Sequence, residues 1–332
     1  MAPMLVFIRQ PFPGASRAKE IDMVATVPSR ESLNIPIHVE RHLQATLRGS
    51  LMLPTVAMEA LEIAKNPRCT IGEYSRIVER DLRLATEIIS QSNSILYSPD
   101  RPVTSLHQSV LRLGFKQCQN LILSASLSSL MRRMPLEGRL AQELLWRHSI
   151  TTAITSAQLN RLLGLGFQGE DFTAGLIHDM GRMLIAVAYP DRFEEIDALD
   201  FDETNDVTQA EREVLGTDHC AIGAWYAEEN RLPIELREVL LAHHGDRPVT
   251  INRRLVALTM ASDHLANYVQ RHARPAEYPF RENPGLVRLE GLGSPGAVEH
   301  VGELSESMLT DLIHQSLDIS KPLHPGQFQR GG

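Results

Sequence analysis

Cysteine, long apolar runs and basic charge are all scarce in this sequence. Its 332 residues include only three cysteines, Cys69, Cys118 and Cys220, too few and too scattered for a disulfide framework or a zinc ribbon. No stretch approaches the roughly 20 apolar residues that a membrane-spanning helix needs. The opening MAPMLVFIRQPFPG lacks the basic start and the apolar length of a secretory signal. We therefore expect a cytoplasmic protein with reduced thiols.

The charge balance restricts the class of partner. A formal net charge of -8 at pH 7 argues against broad, sequence-independent binding of nucleic acid, because neutralising phosphates requires a basic surface. The 21 glycines and 19 prolines are dispersed, and 43% of the residues are hydrophobic, which excludes collagen-like and wholly disordered chains. The composition is that of a globular protein with one large or two small domains.

What the sequence does contain is the 3.6-residue apolar period of α-helices. It follows an irregular N-terminal arm, and between positions 50 and 275 no segment shows the alternation of a convincing strand. We therefore predict an all-α fold. The pattern predicts helices at about 37–47, 82–97, 106–113, 117–131, 141–163, 171–187, 208–215, 219–230, 233–243 and 252–273.

The C-terminal region has a different composition. Residues 281–297 are rich in glycine and proline and predict a loop. A flexible tail is predicted at the end of the chain. Between the two, one more amphipathic helix is predicted from the spacing of Val301, Leu304, Met308, Leu312 and Ile313.

Five of the 13 histidines stand out because they lie in or beside apolar helical segments. They are His148, His178, His219, His243 and His244. Two acids, Asp179 and Asp263, lie in similar settings. A solvated imidazole is a sufficient explanation for the seven in polar or terminal surroundings, namely His38, His42, His107, His272, His300, His314 and His324.

Burying seven polar side chains in helical interiors is unfavourable unless they are paired. Each unpaired polar or charged group costs several kcal/mol, so these groups should either hydrogen-bond one another or share cations. Imidazole and carboxylate are usual ligands of first-row divalent ions such as Mn, Fe, Co, Ni and Zn. A shared metal ion would offset the cost of burial most completely. The gaps of 19 to 40 residues between them are close to one ligand group per helix, which predicts a central site in a helical bundle.

The segments that carry these residues occur in a recognisable order. They are WRHS at 146–149, GLIHDMG at 175–181, DHCAIG at 218–223, AHHG at 242–245 and ASDH at 261–264. This order resembles the HD superfamily of metal-dependent phosphohydrolases, in which His, His-Asp, sometimes a further His and His-His, and a late Asp build a one- or two-metal site.

Further segments are similar to the HDOD domain, a bacterial signalling relative of the HD phosphohydrolases with an additional helical region. They are LPTVAMEALEIAKNP at 53–67, YSRIVERDLRLATEIISQSNSILYS at 74–98, VTSLHQSVLRLGF at 103–115 and RLPIELREVLLAHH at 231–244. The similarity covers about Leu51 to Tyr268. One departure is Asp81-Leu82, where the family commonly has Asp-Pro. This change removes a preferred helix start without touching the site.

The resemblance implies a division of the chain into three regions. They are an N-terminal arm and short helix (1–48), an HDOD domain (49–275) and a C-terminal loop, helix and tail (276–332). Within the domain, 49–135 is the family-specific helical part and 136–275 the HD-like part.

The resemblance also implies the cofactor and the ligands. The cofactor would be one or more divalent metal ions, with a binuclear Fe- or Mn-type site as one option. The first ion would be held by His148, His178, Asp179 and Asp263. The second would share Asp179 as a bridge with His219, His243 and His244.

Arg182 is a further candidate, together with Asp179, for a catalytic role. It occupies the position where related cyclic-dinucleotide phosphodiesterases often carry lysine, and its guanidinium could hold a phosphate in a bidentate way. A solvated charge on the helix explains it equally well. We interpret Cys220 as a small packed hydrophobe, because neighbouring helical residues point about 100° apart, and His264 as a neighbour of the site only.

Two functions remain open. HDOD domains are regarded as regulatory, so the resemblance implies a signal-transduction protein that binds an unknown regulatory partner or a phosphorylated small ligand. In that case the His/Asp cluster is a metal-bound or hydrogen-bonded structural element. The alternative is an active metal-dependent phosphohydrolase acting on a nucleotide or another phosphoester. Hydrolysis of cyclic di-GMP is disfavoured, because the Gly-Tyr-Pro signature of those relatives is absent from HHGDRPVTINRR.

Overall fold

The computed structural model of the chain is helical throughout the parts it describes. It describes residues 33–47, 53–93, 102–136, 139–202, 207–271 and 278–303. These ranges contain α-helices and short turns but no strand, so the predicted all-α fold is confirmed. None of the described helices combines the length and the apolar character needed to cross a membrane.

The first helices surround the smaller of two hydrophobic cores. Their bounds are α1 Ile37–Leu47, α2 Thr55–Ala64, α3 Ile71–Val78, α4 Leu82–Ser92 and α5 Leu106–Met131. The smaller core lies among α2, α3, α4 and the first half of α5, with Tyr74 fully buried in it. α5 is interrupted at Gly114, whose φ of 79° is readily accessible to glycine, in agreement with the predicted boundary there.

The remaining helices enclose the larger core. Their bounds are α6 Arg139–Leu162, α7 Glu170–Ile177, α8 Met180–Ala188, α9 Pro190–Ile196, α10 Val207–Leu215, α11 His219–Glu229, α12 Ile234–Ala242, α13 Arg253–Arg271, α14 Pro284–Gly291 and α15 Ala297–Glu303. α6 packs on α7 and α13, while α11 packs between α8 and α12. The second half of α5 contributes Leu123, Leu127 and Leu130 to this core and so joins it to the smaller one.

Segments outside the predicted domain also pack on the larger core. α1 buries Val39, Leu43 and Leu47 in it and lies against α8. α14 and α15 bury Leu286 and Val301 in the same core. The hydrophobic core of the molecule therefore extends beyond both ends of 49–275.

The prediction of one helix at 171–187 is wrong, because α7 ends at Ile177 and α8 begins at Met180. Asp179 has φ -98° and ψ 16°, outside the helical region. Both short helices pack on the same core, and the apolar pattern therefore continues across the break. His178 and Asp179 lie at the junction of α7 and α8.

The loop predicted at 281–297 is also wrong, because α14 occupies 284–291. The helix starts at a proline in its first turn, and the Asn283 side chain accepts a hydrogen bond from the Leu286 amide at 3.0 Å. Both features favour a helix start over a loop. α15 covers the beginning of the amphipathic helix predicted near Val301. The rest of that prediction, from Leu304 onward, and the predicted tail lie outside the described residues.

A glycine permits the close packing of α8 against α11. A β-carbon at Gly181 would lie 1.9 Å from the His219 carbonyl oxygen, a backbone atom that cannot move away alone. Only glycine therefore allows the start of α8 to approach the start of α11 at this distance.

We predict that Gly181→Ala lowers the free energy of unfolding by about 3 kcal/mol, because the two helices must separate to admit the methyl group. Urea denaturation in the presence of a chelator would measure the change without any contribution from bound metal. Gly72→Ala is the control, since a β-carbon there meets no atom within 4 Å, and it should change stability by less than about 1 kcal/mol. Similar losses in both variants would contradict the importance of this contact.

Candidate metal centre

The seven side chains singled out in the sequence meet in the larger core. His148 comes from the middle of α6 and Asp263 from the middle of α13, whereas His178 and Asp179 come from the junction of α7 and α8. His219 is the first residue of α11, and His243 and His244 directly follow α12. Five separate stretches of chain therefore contribute to one cluster.

One half of the cluster is formed around His148 and His178. Their Nε2 atoms lie 3.1 Å apart, and Asp263 Oδ1 lies 3.0 Å from the first and 3.4 Å from the second. Asp179 Oδ2 lies 3.5 and 3.6 Å from the same two nitrogens. We call these four residues the first ligand group.

The other half is formed around His219. Its Nε2 atom lies 3.4 Å from His243 Nε2 and 3.1 Å from His244 Nε2. Asp179 Oδ1 lies 3.4 Å from the Nε2 atoms of both His219 and His243. With Asp179, these three histidines form the second ligand group, so the two oxygens of one carboxylate face different groups.

Hydrogen bonds on the outer side determine which imidazole nitrogen faces the cluster. Nδ1 of His178 donates to the Gly175 carbonyl at 2.8 Å, and Nδ1 of His243 donates to the Val239 carbonyl at 3.1 Å. A carbonyl oxygen only accepts, and each Nδ1 must therefore carry the hydrogen. In the neutral imidazole the Nε2 atom then has a free lone pair.

In the other two buried histidines, Nδ1 also faces an oxygen outside the cluster, in these cases a side-chain oxygen. Nδ1 of His148 lies 2.9 Å from Gln270 Oε1, and Nδ1 of His219 lies 2.8 Å from Glu211 Oε2. The same Glu211 oxygen accepts from the His219 amide at 2.8 Å. Such outer partners are typical of histidines that bind metals.

The result is a cluster of acceptor atoms that face one another. The Nε2 atoms and the carboxylate oxygens of both groups lie 3.0 to 3.6 Å apart, and the Nε2 atoms of His148, His178, His219 and His243 carry no hydrogen when these imidazoles are neutral. A divalent cation in each group would satisfy them all. The residues of the centre therefore fit metal ions.

The cluster is buried except at one residue. His148, His178, His219 and His243 are at most 1% exposed, whereas His244 is exposed. Burial by itself would raise the pKa of Asp179, but the adjacent His178 imidazole and the Arg182 guanidinium hold that pKa well below its usual value. Asp179 is therefore an anion within the protein interior, and His244 is the member of the cluster that is exposed to solvent.

Arg182 is not the solvated helix charge that was one interpretation of it, since its side chain is only 8% exposed. Its NH1 donates to Asp179 Oδ2 at 2.8 Å, while its Nε and NH2 donate to the two oxygens of Asp197 at 2.8 and 2.9 Å. The guanidinium also lies over the Phe201 ring at 5.1 Å. Asp179 is thus held in place by a cation that donates to the same oxygen, Oδ2, that faces the first ligand group.

Four residues beside the cluster were not predicted to belong to it, namely Asp197, Glu211, Gln270 and Cys220. Glu211 and Asp197 act as outer partners, and the detectable signal for Glu211 was its position on the buried face of α10 with Leu215. Cys220 was interpreted as a packed hydrophobe, and it is fully buried. Its Sγ nevertheless lies 3.5 Å from His219 Nε2, which places it beside the second ligand group. His264 contacts Tyr278 instead, at 2.6 Å.

The start of α11 is anchored by a separate ion network. Asp218 caps the helix by accepting from the Ala221 amide at 2.9 Å. Its other oxygen accepts from Arg212 at 2.7 Å and also from Arg247. His219 is therefore held from both sides, by the cap before it and by Glu211.

Comparisons with known proteins agree on the fold. The HDOD domain model matches residues 51–245. The crystal structure of an HDOD domain protein of unknown function from Geobacter sulfurreducens has a TM-score of 0.60 and 23% identity, over 85% of this chain and 99% of that one. A proposed phosphohydrolase from Shewanella amazonensis SB2B has a TM-score of 0.58 and 19% identity, over 83% and 98% of the two chains.

A curated relative matches a smaller part of this chain. An uncharacterized protein of Treponema pallidum (strain Nichols) is 20% identical over 221 residues, which are 64% of this chain. The match spans only 42% of that relative's length.

We predict that Arg182→Ala lowers the free energy of unfolding by about 3–5 kcal/mol, because it leaves two buried carboxylates without their cation. Chemical denaturation with a chelator present would measure it. Arg192→Ala is a matched control, since Arg192 pairs with Glu195 at the same i,i+3 spacing but on the surface. It should cost less than about 0.5 kcal/mol.

A double variant tests whether the buried charge is the cause. Adding Asp197→Asn to Arg182→Ala removes one of the stranded carboxylates and should recover part of the lost stability. The explanation would be contradicted if Asp197→Asn lowered the free energy of unfolding by as much in the Arg182→Ala variant as it does in the wild-type protein.

Proposed function

This chain belongs to the HDOD domain family, and on that premise we propose that it is a signal-transduction protein whose His/Asp cluster binds two divalent metal ions. In this function the metal centre is a binding element that holds a phosphorylated small ligand or a regulatory partner. The first ion is assigned to the first ligand group and the second ion to the second group, with Asp179 shared between them.

The observation that carries the proposal is the orientation of the four buried imidazoles. Each directs an Nδ1 hydrogen outward to an oxygen and an Nε2 atom into the cluster. Without a cation, the facing acceptors repel one another in a buried site, where unsatisfied polar groups are most costly. A cluster held together only by its own hydrogen bonds would need at least some of the Nε2 atoms to be donors.

The chain's own residues also suggest how a ligand would be held. Bound divalent ions would supply Lewis acidity and open positions for oxygen atoms of a phosphate. His244 is the exposed member of the cluster, so a ligand would approach on its side. The buried outer partners Glu211 and Gln270 keep the imidazoles oriented, and Asp179 is kept in position by Arg182.

Arg182 favours binding over turnover. Each of its three nitrogens already donates to Asp179 or Asp197. The side chain is only 8% exposed and lies against the Phe201 ring, so a phosphate would have to enter the protein interior to reach the N–H groups that remain. We therefore assign Arg182 to positioning Asp179 and not to binding a substrate.

A second candidate function is metal-dependent hydrolysis of a nucleotide or another phosphoester. It is favoured by the bridging geometry of Asp179, whose two oxygens lie near the nitrogens of different ligand groups. Two ions that share a ligand can orient a phosphate and lower the pKa of a water between them. The two functions differ in whether bound phosphoester is turned over.

We predict that the protein purified without chelator carries two equivalents of divalent metal. Asp179→Ala should lose both, because its carboxylate faces both groups. His148→Ala should affect the first ion alone and His244→Ala the second. Elemental analysis of each variant, after circular dichroism has shown that it is folded, checks the assignment. Metal-free wild-type protein that takes up no Mn, Fe, Co or Zn would refute the proposed metal centre.

We also predict that Glu211→Gln weakens metal binding by roughly 10- to 100-fold, because an outer partner of a histidine ligand tunes its basicity and orientation. Glu238→Gln is the matched control. Glu238 is also buried, but its carboxylate accepts from Thr250 and Asn252 at the start of α13. Its loss should leave the metal affinity unchanged, as measured by competition with a chromophoric chelator. An equal weakening by both variants would point to a general loss of structure.

A screen of phosphoesters and nucleotides separates the two functions. For the regulatory function we expect stoichiometric metal and no turnover with added Mn or Fe. Hydrolysis that disappears in His178→Ala or Asp179→Ala would instead establish the hydrolase. These ligand variants also distinguish hydrolysis by this site from hydrolysis by a contaminant.

A further inference from the structure

The first turn of α11 places a sulfur atom beside the second ligand group. Cys220 is fully buried, and its Sγ lies 3.5 Å from His219 Nε2. The Sγ atom and the ring nitrogens of His219, His243 and His244 all lie within 4.8 Å of one another. The thiol is therefore part of a cluster of four potential donors.

The distances from His219 Nε2 to the other three donors match those expected between ligands of one metal ion. Nitrogen ligands lie about 2.0 Å and sulfur ligands about 2.3 Å from a bound zinc ion. At tetrahedral angles, two such nitrogens are then about 3.3 Å apart, and a sulfur and a nitrogen are about 3.5 Å apart. The His219 nitrogen lies 3.4 and 3.1 Å from those of His243 and His244, and 3.5 Å from the Cys220 sulfur. The three distances from His219 Nε2 to the other donor atoms are therefore close to these values.

The other cysteines provide a contrast. Cys118 is also fully buried, but it lies in the smaller core among apolar side chains. Cys69 donates to the Thr70 carbonyl at 3.5 Å. Burial alone therefore explains Cys118, whereas the approach of Cys220 to an imidazole acceptor requires more than hydrophobic packing.

We propose that Cys220 is a thiolate ligand of the second metal ion, so that this ion has one sulfur donor in addition to Asp179, His219, His243 and His244. The inference rests on the proposed metal-binding function and specifies one of its two sites. The metal–sulfur bond replaces the S–H bond, and the proton is released to solvent when the ion binds. A soft thiolate ligand favours Zn, Co and Fe over Mn and Mg at this site, whereas the first ligand group offers only nitrogen and oxygen.

Titration of the metal-free protein with Co(II), followed by absorption spectroscopy, tests the assignment. Cobalt bound by a thiolate shows a sulfur-to-metal charge-transfer band in the near ultraviolet, which cobalt bound only by nitrogen and oxygen lacks. The wild type should develop this band together with the visible ligand-field bands. Cys220→Ala and Cys220→Ser should lose the charge-transfer band and keep the ligand-field bands of the first site. Cys118→Ala is the matched control and should retain both.

The outcomes separate this inference from the function on which it rests. Cobalt binding without a charge-transfer band in the wild type, or with an unchanged band in Cys220→Ser, overturns the ligand assignment and leaves the metal centre intact. No cobalt binding at all refutes the metal centre itself. A second readout is competition between Zn(II) and Mn(II), in which Cys220→Ser should lose at least tenfold of the wild-type preference for Zn(II) at one site. An unchanged preference would overturn the assignment.

Discussion

The chemistry of this protein depends on hydrogen bonds that lie outside its central cluster. By accepting from Nδ1, the oxygens around the cluster leave the Nε2 atoms of four buried histidines free to face inward. If an outer partner were lost, its ring could rotate or change tautomer, and the inward donor would become an ordinary buried imidazole. The helical framework supplies two of these partners as backbone carbonyls, Gly175 and Val239. The fold and the site are therefore specified by the same contacts.

The break between α7 and α8 is the backbone feature that makes the bridge possible. In a continuous helix, consecutive residues point about 100° apart, and His178 and Asp179 would face different neighbours. The non-helical conformation of Asp179 turns its carboxylate toward the cluster beside the His178 ring. The packing of Gly181 against the His219 backbone then brings the start of α11 close enough for the other carboxylate oxygen to reach the second ligand group.

The periodic spacing of apolar residues allowed prediction of which helices and side chains are buried. Features that depend on local backbone geometry could not be predicted in this way. The all-α fold and the convergence of polar residues such as His148 and Asp263 follow from polar groups at apolar helical positions. The break at 178–179 was missed because α7 and α8 present one continuous apolar pattern. α14 was missed because its glycine and proline content outweighed the Asn283-Pro284 start signal. The proximity of Cys220 to the second ligand group could not be predicted, because an average helical angle does not describe where a side chain in the first turn of α11 lies.

The net charge of the centre favours binding of a ligand through short-range contacts over long-range electrostatic attraction of substrates. Its buried acids are Asp179, Asp197, Glu211 and Asp263. Arg182 is the one buried cation among the described residues that contacts Asp179. Two divalent ions would balance the four acids, and a Cys220 thiolate would balance Arg182. A filled centre is then close to neutral, and it adds little long-range attraction for an anionic phosphoester. In the proposed function, recognition would therefore come from contacts made at the exposed edge near His244, as in a regulatory site that binds one ligand selectively.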